Sequence, residues 1–358
     1  MKTLMRAAQI TKYSKDIQAQ VNDIPIPEIN DNEVLVKVKA AAVNPLEMLI
    51  ITGSVKLIQD YEFPLTLGNE LTGVIEKVGK NVTEFQVGDD IYTRLPLKKI
   101  GAFAEYAAID ATAIALMPKS LSYVEAAAAS LAGLTAYQGL HEELEAQPGK
   151  SVFIPGGSGS FGQMAVPIAK EMGLNVIVSG NSEARKRTLE MGADQYLIYK
   201  TESYVDVLSN VDYVIDTLGP KEFDNELSII KPGGRLLSLR TGPNKRFGKK
   251  GNFPFWKQKL FSVAGAKYDH KAKKHDVEYH FMFVRSDGAQ LKKITKIIEE
   301  HNIVPTIHPT LFPIDNINEA LELVASGRPK GKVIINFQEN MRRSVQIRAK
   351  RKSRRSYP

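Results

Sequence analysis

Apolar and polar residues alternate through Val34-Leu35-Val36-Lys37-Val38-Lys39, the period-two pattern of a half-buried strand. Gly and Pro then divide the chain into short runs, at Pro45, Gly53, Pro64, Gly68, Gly73, Gly79, Gly88, Pro96 and Gly101. Short runs bounded by turn residues predict a compact β-rich barrel or sandwich over the first part of the chain. The texture changes near residue 120. Ser122 with Glu125 three residues on has the form of a helix capping box, and an Ala-rich helical stretch follows.

From Lys150 the pattern repeats as strand, loop and helix. Strands are predicted at 151–155, 175–179, 195–198, 211–216, 235–239 and 261–266. A helix over 161–172 collects Phe161, Met164, Ala165, Ile168, Ala169 and Met172 on one face, with Pro167 expected to disturb its axis. Apolar strands alternating with amphipathic helices predict an α/β domain with a parallel, doubly wound sheet. Residues 285–338 read as a return to the first domain. A helix at 289–301 precedes Pro305, Pro309 and Pro313, then come a helix at 317–325 and a last strand at 332–337.

Composition changes this picture in two ways. The chain has no cysteine, so no disulfide framework and no thiolate chemistry can exist. The net charge of +8 is concentrated at one end, since 339–358 carries eight Lys and Arg against Glu339 alone. The remainder is nearly neutral. The tail is expected to be disordered and to bind nucleic acid only weakly, through phosphates. Lys2, Arg6, Gln9 and Lys12 break up the beginning of the chain, and no window approaches the ~18 apolar residues of a membrane span. A cytoplasmic protein without a membrane partner is the expectation.

The central motif is Ile154-Pro155-Gly156-Gly157-Ser158-Gly159-Ser160-Phe161-Gly162, set between a predicted strand and a predicted helix. Its glycines at 156, 159 and 162 let the backbone turn sharply and approach a pyrophosphate, which helix N-terminal N–H groups would then hold. Gly156, Gly157, Ser158, Gly159, Ser160 and Phe161 are therefore candidate cofactor-binding residues.

With Ala42-Val43-Asn44-Pro45, Leu67-Gly68-Asn69-Glu70-Leu71-Thr72-Gly73, Gly88-Asp89, Leu134-Thr135-Ala136-Tyr137, this loop, and Asn318-Glu319-Ala320 through Gly331-Lys332-Val333-Ile334, the chain resembles the quinone oxidoreductase branch of the medium-chain dehydrogenase/reductase superfamily. The resemblance implies a GroES-like β-rich catalytic domain from 1–122 with 268–338, a Rossmann domain over 123–267, a cofactor cleft between them, and a homodimer. It implies Asn44 and Thr135 beside the nicotinamide, as the candidate catalytic residues, although Asn44 also reads as a turn cap before Pro45. Leu218, Leu239, Arg240 and Thr241 join the cofactor set.

Zinc-dependent relatives place a histidine where this chain has Asn69, and cysteines near Asn44 and Leu131. A catalytic zinc needs about three Cys, His or carboxylate ligands, so no metal is expected. His270, His275 and His280 lack a common helix face and are expected at the surface. The family tyrosine after Asn-Pro falls at Leu49 or Val55, leaving Tyr61 or Tyr137 as substitutes. What remains is transfer of hydride to a conjugated carbonyl compound or a quinone. Reduction of enoyl thioesters, and NADPH binding without turnover in a protein that contacts RNA or another partner, are the alternatives.

The cofactor is expected to be NADPH. In NAD-specific folds an acid at the end of the second strand holds the ribose 2′-hydroxyl, and here that place is Gly180. Ser179, Asn181 and Ser182 offer hydrogen bonds and Arg185 or Lys186 a positive charge for a 2′-phosphate. The resemblance adds Tyr199 against the adenosine phosphate.

Overall fold

The computed structural model describes residues 3–327 and 329–338. They fall into two units: Pro118–Ser120 with Ala129–Pro305, and Met1–Met117 with Leu121–Ala128 and the segment from Thr306 onward. The basic tail at 339–358 lies outside the described residues.

The second unit is built on six parallel strands in the order Gln195–Ile198, Asn175–Gly180, Ser151–Ile154, Val211–Asp216, Ile230–Ser238, Glu278–Phe281. Val152, Phe153 and Ile154 are fully buried, so the central strand is apolar on both faces, as a sheet covered by helices requires. The order reverses direction between Ser151–Ile154 and Val211–Asp216, the switch point at whose carboxyl end ligands bind in such sheets. The helix Ser160–Glu171 follows the first strand and buries Met164, Ala165, Ile168 and Ala169, continuing through Pro167.

The sixth strand differs from the expectation. Residues 261–266 belong to the helix Phe255–Lys274, which buries Phe261, Gly265, Tyr268 and Ala272 at helical spacing and leaves Val263 in solvent. The true sixth strand, Glu278–Phe281, pairs with Ile230–Ser238 through Leu236 and Tyr279. The second unit accordingly runs to Pro305 and includes the helix Gly288–Glu300, where the sequence placed a boundary at 267. The Ala-rich stretch is also divided. Tyr123–Ala126, capped by Ser122 and Glu125, belongs to the first unit, and Ser130–Gln138 to the second.

Histidine 280 is a further correction. His270 and His275 are exposed, but His280 is fully buried, with Nδ1 3.3 Å from Glu143 and Nε2 3.2 Å from Glu278. The short strand turns it inward, where a carboxylate meets it.

In the first unit a seven-stranded sheet runs Ile307–Phe312, Lys332–Asn336, Glu33–Val43, Glu70–Val78, Asp90–Arg94, Ile114–Leu116, with Tyr106–Asp110 also on Glu33–Val43. Glu33–Val43 is mostly buried along its length rather than on one face. Its pairing fixes the chemistry at one end of the sheet. Val333 lies opposite Val43 and Leu71 opposite Ala41, which brings Lys332, Asn44 and Glu70 together from three distant parts of the chain.

Candidate active site

In the second unit the glycine loop folds as its spacing predicts. Gly156 has φ +66°, a conformation that glycine adopts without strain. A Cβ on Gly162 would lie 1.8 Å from the Gly157 carbonyl oxygen, so the helix can start against the loop only with glycine there. Gly159 precedes the helix Ser160–Glu171 and offers no side-chain cap, leaving the first N–H groups for an anion.

The end of the second strand closes on this loop. The Gly156 N–H donates to Ser179 Oγ at 3.4 Å, and the Tyr196 hydroxyl donates to the Asn181 carbonyl at 2.6 Å. A Cβ on Gly180 would lie 2.2 Å from the Tyr196 hydroxyl and 2.5 Å from Ser158 Cβ. No acid fits there without displacing both. Asn181 Oδ1 accepts from Ala184 N–H at 2.9 Å and caps a short turn, while Ser182 is exposed. Of the basic run that follows, Arg185 is exposed and Lys186 lies 3.8 Å from Glu190. Arg187 turns back, and its Nη2 donates to the Ser158 carbonyl at 3.1 Å. Tyr199 and Leu218 are largely exposed, and Tyr199 N–H donates to the Gly180 carbonyl at 3.1 Å.

Sequence reasoning missed the hub of this end of the sheet. Asp216 ends the fourth strand fully buried. It accepts from Leu218 N–H (2.8 Å), Gly219 N–H (2.7 Å), Ser238 Oγ (2.5 Å) and Thr241 Oγ1 (3.0 Å). Ser238 Oγ in turn accepts from Arg240 and Thr241 N–H, and Leu239 N–H donates to the Asp216 carbonyl. Leu239, Arg240 and Thr241 are thus fixed by an acid whose signal was its place at the end of an apolar strand. Thr135, on Ser130–Gln138, donates its hydroxyl to the Leu131 carbonyl at 2.7 Å.

Glu226 lies under this hub. Burial first, then the charge of Asp216, pushes its carboxyl from the usual 4.5 to about 10, so it is the neutral acid at physiological pH. The unfolded chain releases this proton above pH 4.5 and the folded chain keeps it, so stability falls as pH rises from there toward 10. Glu226→Gln removes that penalty. At pH 8 the variant is expected to gain at least about 1 kcal/mol, roughly 2–4 °C in Tm, with little gain at pH 5. Equal Tm shifts at both pH values would contradict the protonation state.

The first unit holds Asn44 and Asn69, the residues that the resemblance sets against zinc ligands. The Asn44 carboxamide is engaged at both ends, and that of Asn69 through Nδ2 alone, its buried Oδ1 having no partner among the described residues. Asn44 Nδ2 donates to Glu70 Oε1 at 3.0 Å, and Asn44 Oδ1 accepts from Lys332 Nζ at 2.6 Å. Lys332 also lies 2.7 Å from Glu70 Oε1. Asn44 N–H donates to Glu47 Oε2 at 2.6 Å, and Asn69 Nδ2 donates to Glu47 Oε1 at 2.7 Å. Asn44 also begins the helix Pro45–Ile51, as the turn-cap reading required. Burial raises the Glu47 carboxyl to about 7. Nearby, the buried Arg94 gives Nη1 to the Leu95 carbonyl, while its Nε and Nη2 and the Tyr61 hydroxyl have no protein partner. Burial lowers the Arg94 guanidinium to about 10 and raises the Tyr61 hydroxyl to about 12. Nothing in the local sequence around Arg94 signals this.

A doubly wound sheet with a glycine turn at its switch point, carried in one chain with a β-rich domain closed by both ends, defines a dehydrogenase or reductase of the nucleotide-binding type. Residues 30–119 match the alcohol dehydrogenase GroES-like domain and residues 191–335 the zinc-binding dehydrogenase domain. The chain is 30% identical over 345 residues to the 2-methylene-furan-3-one reductase of Solanum lycopersicum, covering 93% of this chain and 79% of that protein. It is 31% identical over 242 residues to the quinone oxidoreductase of Homo sapiens, covering 65% and 72%. The quinone oxidoreductase structure from Coxiella burnetii superposes with a TM-score of 0.77 at 24% identity, over 94% of this chain and 100% of that one, a likeness of fold. The chain belongs to the quinone oxidoreductase branch of the medium-chain dehydrogenase/reductase superfamily.

Proposed function

We propose that this protein is a zinc-independent reductase that uses NADPH to reduce quinones or other α,β-unsaturated carbonyl compounds. The observation that carries this reading is the network of amides, carboxylates and an ammonium formed by Asn44, Glu47, Asn69, Glu70 and Lys332, where zinc-dependent relatives would present ligands. Carboxamides bound to carboxylates and an ammonium are not a zinc ligand set. Two relatives are named for reducing a 2-methylene-furan-3-one and a quinone, both conjugated carbonyl compounds, and that chemistry needs no Lewis acid. When bound, NADPH supplies the hydride. The protein's share is to hold cofactor and acceptor in alignment and to exclude water.

The second unit fits such a cofactor. Gly156, Gly157, Ser158, Gly159, Ser160 and Phe161 would hold the pyrophosphate at the helix start. Ser179, Asn181, Ser182 and Tyr199 would flank the adenosine end, and Leu218, Leu239, Arg240 and Thr241 would follow from the Asp216 hub. Asn44 and Thr135 stay as the residues assigned to the nicotinamide. Within this reading the protein is a cytoplasmic homodimer, with Glu278–Phe281, one of the two edge strands of the six-stranded sheet, as the strand proposed to meet a second copy.

The lack of room at Gly180 supports NADPH over NADH, and Arg187, beside the Ser158 carbonyl, supplies charge closer to the loop than Arg185 does. Arg187→Ala is expected to weaken NADPH by roughly tenfold to a hundredfold, the range for hydrogen bonds to charged groups, and NADH by much less. Arg185→Ala should give the smaller loss. Fluorescence titration of each cofactor reads this directly, and equal losses for NADPH and NADH in Arg187→Ala would remove Arg187 from the 2′-phosphate. Steady-state turnover with a quinone against a 2-enoyl thioester tests the acceptor. Exclusive use of the thioester would replace this reading.

A further inference from the structure

The helix Phe255–Lys274 has a face that is exposed among the described residues. Opposite its buried stripe of Phe261, Gly265, Tyr268 and Ala272 lie Trp256, Leu260 and Val263 at i, i+4 and i+7, with Lys259 and Lys267 among them. Trp256 is 56% exposed, Leu260 46% and Val263 77%, and Phe255 beside them is 72% exposed. Large apolar side chains clustered in solvent on one helix face mark a contact surface. Their setting is strongly cationic. Residues 245–275 hold ten Lys and Arg against the single acid Asp269, in a body whose net charge up to residue 338 is only +1. Among the described residues no carboxylate lies within ion-pair distance of Lys245, Lys257, Lys259 or Lys267. An open cavity of about 650 Å³ beside the helix is lined by four cations, Lys245, Arg246, Lys249 and Lys250, against the two acids Asp269 and Glu278. Lys259 Nζ lies 4.9 Å from the Phe255 ring centre and Lys257 Nζ 5.5 Å from that of Trp256.

We propose that this face docks the protein on an anionic lipid bilayer, with Trp256, Leu260 and Val263 entering the headgroup layer and the surrounding lysines meeting lipid phosphates. A helix with a basic polar border and Trp, Phe and Leu at its exposed apolar centre has the composition of helices that lie in the bilayer interface. A second copy on the same face would bring two sets of cations together. Nucleic acid would engage the lysines but gain nothing from Leu260 and Val263. Among the described residues no helix is long and apolar enough to cross a membrane, and lying on a surface needs none. The inference is independent of the acceptor, because docking is measured without cofactor or substrate.

Trp256 is the only tryptophan of the chain, so selectively excited tryptophan emission reports this face alone. Full-length protein is mixed with phosphatidylcholine vesicles, with or without a phosphatidylglycerol fraction of about one quarter. The expected result is co-sedimentation and a blue shift of Trp256 emission on the anionic vesicles only, both reversed by high salt. Val263→Asp is expected to lower partitioning by about tenfold or more, with Tm little changed because that side chain is already 77% exposed; Leu260→Asp, at a half-exposed site, should lower it likewise. Lys257→Glu/Lys259→Glu should do the same. Co-sedimentation with unchanged emission would assign the binding to the basic residues at 339–358 and overturn the proposal. So would an equal shift on neutral vesicles, an equal shift with RNA, or a shift without vesicles that accompanies a doubled mass.

Discussion

Gly162→Ala is expected to abolish measurable NADPH binding, lowering affinity by a hundredfold or more. The added Cβ would stand 1.8 Å from the Gly157 carbonyl oxygen and 2.5 Å from its carbon. Both are backbone atoms at the turn, so neither can swing aside. The helix Ser160–Glu171 would have to withdraw, taking with it the N–H groups proposed to hold a pyrophosphate. Stability should fall as well, by about 1–3 kcal/mol as for overpacked sites. Gly159→Ala separates a nucleotide site from an ordinary turn. Its φ is −82° and the nearest atom to an added Cβ is 3.8 Å away, so the fold should tolerate it. Only a ligand that approaches the backbone there would be pushed off. Calorimetric titration of both variants reads the difference, and full NADPH affinity in Gly159→Ala would show that the cofactor does not touch this turn.

Lys332→Met is expected to cost about 3–5 kcal/mol, the range for breaking one side of a buried ion pair. Glu70 would lose its ammonium partner at 2.7 Å and Asn44 Oδ1 its donor at 2.6 Å, in a place where all three side chains are buried. The added change Glu70→Gln should recover part of the loss, because the remaining network is then neutral. Urea unfolding measures both. If Lys332→Met unfolded within 1 kcal/mol of the parent, roughly the value of an exposed pair, the network would not be what holds this end of the sheet.

These two sites differ in how far the sequence revealed them. The loop was legible because its glycines, the strand before them and the helix after them are contiguous, and each step has a local physical reason. The five strands from 151 to 239 were legible for the same reason. Residues 261–266 were not, because six apolar or small residues fit either a strand or a helix turn. The burial of Phe261, Gly265, Tyr268 and Ala272 shows the helical period only over the full twenty residues. The Lys332–Asn44–Glu70 cluster depends on register between strands far apart in the chain, which no local pattern carries. His280 looked like a surface residue because its partner Glu143 is remote. In the basic run after the second strand, composition gave the positive charge, but only the fold shows that Arg187, rather than Arg185, meets the loop.

The central claim is most directly tested by following NADPH oxidation after exhaustive chelation, with quinones and enones in parallel with saturated aldehydes. The account predicts turnover on the conjugated acceptors at the untreated rate, with kcat/KM for NADPH well above that for NADH, and none on the saturated compounds. Turnover confined to saturated aldehydes, lost on chelation and restored by zinc, would contradict it.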